Sequence, residues 1–211
     1  MLAFSDWTFL MDEMNSNTRI RRSPAIIRWL KAPRRPRQVL LTKAIQLDFE
    51  IQEQAMTKWC WAAVAASISS YVHEPSASTQ LEIVLADLGL QEENFVEPEA
   101  LNVSGNLCEA LSFVQCYRKQ QIGPPLFGEG YREWEDGLPL VARIGWPDTE
   151  GHGIVIFGCW VNELGEEFYD VADPTLGYDL IRRSEVETEY CKTGSWTHTY
   201  FITDYKANWS E

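Results

Sequence analysis

A chain of 211 residues with 45% hydrophobic and 12% aromatic content can bury one sizeable core and carry an appendage besides. Its net charge of −13 is uneven: residues 1–50 hold nine Lys/Arg against five Asp/Glu, and residues 51–211 hold nine against 26, which argues against nucleic acid as a partner of the acidic part. The longest apolar stretch, Trp61 to about Ile68, is far shorter than the roughly 20 residues of a bilayer span. Five cysteines without a Cys-x-x-Cys pair, and three histidines far apart in sequence, predict at least one free thiol and argue against a structural zinc.

In chain order, residues 1–46 read as a basic, proline-interrupted N-terminal arm, and residues 47–211 as one domain. Pro24, Pro33 and Pro36 leave room for only a short helical turn near Ala25–Lys31. The basic run Arg19–Arg37 is first of all a solvated tail; docking on the acidic body or on a delivery partner is the alternative. Met1–Leu10 has no basic residue ahead of its apolar part and runs into Asp12 and Glu13, unlike a secretory signal peptide. A cytoplasmic protein, or one exported by another route, is expected.

Apolar and polar residues alternate from Ile45 to Ile51, the period of a half-buried strand. An Ala-rich helix follows over Trp59–Tyr71, then a helix over Ser78–Leu88 opened by Ser/Thr and closed by Gly89. A third helix is predicted from about Cys108 to Gln120. Beyond Pro124-Pro125 the character reverses, with strands at Leu138–Gly145, Gly153–Gly158, Glu167–Ala172 and Thr197–Ile202. Helices first and antiparallel strands afterwards make an α+β fold.

The chemistry is legible at three places. Cys60 stands where a loop enters the Ala-rich helix, and the unpaired N–H groups of a helix start favour a thiolate. Gln54, six residues earlier, offers an amide to the oxyanion of an attacked carbonyl, with the Cys60 N–H as the second donor. The plain alternative is an inert core cysteine and a solvated glutamine. His152 lies between Gly151 and Gly153 at the head of an apolar strand, sterically open, whereas His73 and His198 lack such flanks. The next strand carries Asp170 and Asp173, which face opposite sides, so only one of them serves His152. Trp146 and Pro147 are close enough to His152 to wall a cleft, while Trp134 and Trp160 belong to the core.

Gln-x5-Cys-Trp-Ala at a helix start resembles the papain-like cysteine peptidase superfamily, and the Trp-Cys-Trp-Ala-Ala form is most similar to its bacterial C39-like branch, which includes avirulence effector proteases and bacteriocin leader peptidases. The resemblance covers roughly Leu47 to Ile202 and departs from plant papains, whose Cys-Gly-Ser/Ala-Cys signature is missing. It implies a nucleophile helix packed on a C-terminal antiparallel sheet. It also implies a nucleophile Cys60, a base His152, an orienting acid Asp173 through the match at Asp173-Pro174, and an oxyanion donor Gln54. No cofactor is implied. The substrate is a protein or peptide, cleaved at a peptide or isopeptide bond through a thioester. Acyl transfer, transglutamination or deamidation would use the same residues, and a catalytically silent binding module would keep only the fold.

Overall fold

The computed structural model describes residues 41–91, 97–147 and 151–203. The expected helical turn at Ala25–Lys31, and with it most of the N-terminal arm, lies outside those residues.

Helix α1, Cys60–His73, is the central element of the helical half. Eight of its residues from Ala62 to Ser69 are buried on every side, which small side chains permit, because neighbouring backbones can then approach closely. Two shorter helices pack against it, α2 (Gln80–Asp87) and α3 (Leu107–Phe113). Thr79 opens α2 with a capping box: its side chain accepts from the Glu82 N–H, and the Glu82 carboxylate accepts from the Thr79 N–H. Gly89, at φ +65°, ends that helix region in the left-handed conformation glycine tolerates.

Seven strands form one antiparallel sheet: β1 (Leu41–Gln46), β2 (Tyr117–Ile122), β3 (Leu140–Gly145), β4 (His152–Asn162), β5 (Glu167–Asp173), β6 (Gly177–Arg182) and β7 (Ser195–Ile202). Their order is β2-β7-β3-β4-β5-β6, with β1 also on β4. One edge of β4 is shared. Its first half, His152–Ile156, pairs with β3, and its second half, Gly158–Asn162, pairs with β1. A register shift between Ile156 and Gly158 lets β4 bend there, and Gly158 is required because a Cβ would lie 2.6 Å from the Ile45 carbonyl oxygen.

Each sheet face is buried. Val141, Val155, Phe157 and Tyr200 face α1 and share a core with Trp59, Val64, Ile68 and Leu111. Ile144, Ile154, Ile156, Tyr169 and Phe201 face the other way, toward Trp134 of α4 (Phe127–Glu135) and Val186 of α5 (Arg183–Thr188). The α+β architecture predicted from sequence is therefore present, with two strands from the first half added at the sheet's margins.

Three expectations are corrected in detail. The first strand runs over Leu41–Gln46, not Ile45–Ile51, so it lies in the stretch assigned to the arm. The third helix ends at Phe113, where Gln115 takes φ 58°, and Tyr117–Ile122 return as the edge strand β2 beside β7. Trp146 packs with the core on the far face of the sheet, against Gly194, and is not among the residues lining the cleft.

Candidate active site

Cys60 is the first residue of α1, so its N–H has no carbonyl acceptor within the helix. The indoles on either side pin this point down. Trp59 is fully buried and donates its Nε1–H to the Leu101 carbonyl at 2.7 Å, while Trp61 donates to that of Val103 at 3.1 Å. Gly105 is needed there, because a Cβ would fall 2.4 Å from the Trp61 ring. The loop ahead of Cys60 is held by side chains: the Gln52 N–H donates to Ser67 Oγ (2.9 Å), Ala55 N–H to Gln80 Oε1 (3.0 Å) and Lys58 N–H to Asn102 Oδ1 (2.9 Å).

His152 heads β4, and its Nε2 lies 3.0 Å from Asp173 Oδ2. The ring also hydrogen-bonds the Cys60 thiol, for which Nδ1 is the nitrogen left over. Asp173, 2% exposed at the end of β5, is saturated. Its Oδ1 accepts from the N–H groups of Thr175 (2.7 Å) and Leu176 (3.0 Å), and its Oδ2 accepts from the Tyr190 hydroxyl (2.7 Å) as well as facing His152. Cys60, His152 and Asp173 thus come together from α1, β4 and β5.

Gln54 does not join them in the cleft. Its Nε2 donates to the carbonyls of Met56 (2.9 Å) and Thr57 (2.8 Å), its Oε1 accepts from Thr175 Oγ1 (2.9 Å), and its own N–H donates to the Pro174 carbonyl (3.0 Å). Both amide hydrogens are committed to the loop in this arrangement, and Gln54, expected as an oxyanion donor, is not among the residues lining the cleft. What Gln54 does is tie the loop before Cys60 to the turn after Asp173. Asp170 is also placed elsewhere, with Oδ2 accepting from the Trp160 indole.

The charges follow from these contacts. Burial pushes the Cys60 thiol up, but the hydrogen bond and charge of His152, helped by the backbone N–H groups of Gly153 and Trp61, outweigh it and bring the thiol below its ordinary value. Burial opposes the imidazolium, yet Asp173 and Cys60 raise His152 to about 10. Burial likewise opposes the Asp173 carboxylate, and His152, Tyr190 and Thr175 lower it below the ordinary carboxylate range. The favoured state is a thiolate–imidazolium–carboxylate chain, a nucleophile beside a proton donor.

A cleft of about 540 Å³ opens over these groups, lined by Cys60, His152, Trp61, Leu107, Arg143 and Tyr200 among others. Tyr190 and Arg143 are site residues that sequence reasoning missed. Tyr190 lies 17 residues from Asp173 with no local signal, but a lone arginine in the apolar strand Leu140–Gly145 was a signal that could have been read. Among the described residues, no three His, Cys, Asp or Glu side chains are grouped to hold a metal, and no helix is long and apolar enough to cross a membrane.

Residues 41–126, which contain Cys60 and Gln54 but not His152 or Asp173, match the family model of the papain-like cysteine protease AvrRpt2. No curated protein sequence matches the chain. Among solved structures, it is similar to two of the Amb a 11 cysteine protease, a major ragweed pollen allergen, in its proform. One, at 14% identity and a TM-score of 0.47, covers 79% of this chain and 67% of that one. The other has 15% identity and a TM-score of 0.42 over the same shares.

Proposed function

We propose that this chain is a papain-like cysteine protease that hydrolyses peptide or isopeptide bonds with Cys60 as nucleophile, His152 as acid and base, and Asp173 as the group that orients His152. The observation that carries the reading is the continuous hydrogen-bonded chain from Cys60 through His152 to Asp173 Oδ2, the last contact at 3.0 Å. The Cys60 thiolate attacks the carbonyl carbon, and the oxyanion that forms is met by the Cys60 N–H at the start of α1. Protonated His152 gives its proton to the departing amine, leaving a thioester. Neutral His152 then takes a proton from water, the resulting hydroxide attacks the thioester, and the thiol leaves as thiolate while the imidazolium is restored.

The Trp-Cys-Trp-Ala-Ala segment favours the bacterial C39-like branch of the superfamily, and a protein or peptide as substrate. The test is mass spectrometry of candidate proteins incubated with the wild type and with Cys60→Ala. New chain ends that depend on Cys60 support hydrolysis. A gain of about one dalton at glutamine, or new cross-links, would transfer the reading to deamidation or transglutamination, which begin from the same thioester. No Cys60-dependent change in any protein, with no alkylation of Cys60 at neutral pH, would leave a silent binding module.

A further inference from the structure

Arg143 stands inside an otherwise apolar strand, between Ala142 and Ile144, both fully buried. In the sheet it lies opposite Gly153 on one side and His198 on the other, so one row runs from beside the Cys60–His152 pair out to β7. The guanidinium lies against Gly151, the residue before His152: a Cβ on Gly151 would fall 2.4 Å from Arg143 Cζ and Nε. Its Nη1 donates to Thr197 Oγ1 at 3.0 Å, and that hydroxyl donates to the Arg143 carbonyl at 3.0 Å, which fixes the head group while using, among the described residues, one of its five donors.

Guanidinium groups set at the wall of a cleft are suited to carboxylates, which they bind with two parallel hydrogen bonds. The surroundings agree. Lys58 and Arg143 line the cleft beside the Cys60–His152 pair, and among its described lining residues there is no carboxylate. This is so although residues 51–211 hold 26 acidic against nine basic side chains. A cationic pocket on an acidic body draws in an anionic group and turns away a cationic one.

We infer that Arg143 is the specificity-determining residue of the cleft, and that the substrate presents a carboxylate to it, from an acidic side chain or a free C-terminus, when its carbonyl is at Cys60. This rests on the reading of Cys60 as nucleophile. The substrate's charge is thereby selected beside the reacting atoms.

Iodoacetate and iodoacetamide are alkylating agents of nearly the same size that differ in carrying a carboxylate or an amide. The full chain and its Arg143→Gln variant are labelled with each at neutral pH, and the ratio of Cys60 labelling rates is measured. The ratio of iodoacetate to iodoacetamide should fall about tenfold or more in Arg143→Gln, the size expected for one charge-assisted hydrogen-bonded pair. Arg143→Lys, which keeps the charge and loses the fork, should give an intermediate ratio, and it supplies the comparison if the Gln variant does not fold. Paired peptides with Glu or Gln, and with a free or amidated C-terminus, then distinguish the two sources of the carboxylate by which pair shows an Arg143-dependent preference. An unchanged ratio in both variants, or an equal rate within both peptide pairs, overturns the inference. If iodoacetamide does not label wild-type Cys60, the nucleophile reading has failed and the inference falls with it.

Discussion

Tyr190 and His152 meet the same atom: the Tyr190 hydroxyl donates to Asp173 Oδ2 at 2.7 Å, and His152 Nε2 lies 3.0 Å from that oxygen. The phenol is buried, 4% exposed, and begins a tight turn closed by mutual backbone hydrogen bonds with Gly194 at 2.9 and 2.8 Å. Cys191 and Lys192 within this turn take φ 49° and 87°, which side chains other than glycine rarely adopt. Strain of this kind is kept where the surroundings over-determine a position. We predict that Tyr190→Phe, which keeps the ring and removes the hydrogen bond, lowers turnover several-fold to about tenfold while KM stays near wild type. Steady-state kinetics on one peptide checks it, and an unchanged kcat would give Tyr190 a packing role only.

Cys60→Ala and His152→Ala are each expected to abolish turnover and leave the fold intact, since members of such a set act as a unit. Circular dichroism confirms folding, and residual wild-type turnover in Cys60→Ala would overturn the proposed mechanism.

The two acids of β5 should separate cleanly. Asp173→Asn is predicted to lower turnover by roughly one to four orders of magnitude, because the imidazole loses its orientation. Asp170→Asn, whose amide oxygen can still accept from the Trp160 indole, should leave turnover within a few-fold of wild type. The reverse ranking would move the third role to Asp170.

The pH dependence follows from opposite shifts. The Cys60 thiol is lowered from 9.0 and His152 is raised to about 10, so iodoacetamide labelling should reach its plateau below the ordinary thiol range. Turnover should fall as pH approaches about 10, where His152 loses the proton it must give to the amine. For stability, His152 is raised from 6.5 on folding, so its contribution is complete below that value and is lost as pH rises to about 10. Asp173 is lowered from 3.8, so its contribution is present above that value and is lost as pH falls through the folded value. Asp173→Asn should therefore cost most stability between pH 3.8 and 6.5, and melting curves at pH 3, 5.5 and 9.5 would expose any other order.

Gln54→Ala should lower melting temperature and turnover together, because the lost amide frees the carbonyls of Met56 and Thr57 and unties the Thr175 turn. A fall in turnover of about a hundredfold with an unchanged melting temperature would instead return Gln54 to the oxyanion, as its position six residues before Cys60 first suggested.

Local patterns carried much of this fold, and the failures have physical causes. The Ala-rich run of α1, the Thr79 cap and the Asp173-Pro174 turn act within a few residues and so are visible in the chain. In β2, Tyr-Arg-Lys-Gln-Gln-Ile, the alternation is absent because the strand is an exposed edge, and its Arg, Lys and Gln are ordinary helix formers. Helix α4 contains Gly128 and Gly130, which lower local propensity, but Gly130 lies close under Trp134 and Leu140, and this packing decides. Cys60 and His152 stand out by their immediate neighbours and Asp173 by the resemblance at Asp173-Pro174, and the fold brings the three side chains together. Tyr190 does not stand out, since its contact with Asp173 exists only once β5 and the 190–194 turn are folded together.

The shared edge of β4 also has a dynamic consequence. With β3 and then β1 on one edge and β5 on the other, its amides should be among the slowest to exchange with deuterated solvent, so His152 is anchored at the head of the most protected strand. The segment 51–58 leading to Cys60 is different: the N–H groups of Ile51, Gln52, Ala55 and Lys58 end on a phenol, a hydroxyl and two amide side chains. Those bonds open with a single rotamer change, so this segment should exchange first. Whatever accommodation the cleft makes to a long substrate falls to the side of Cys60, while His152 keeps its place.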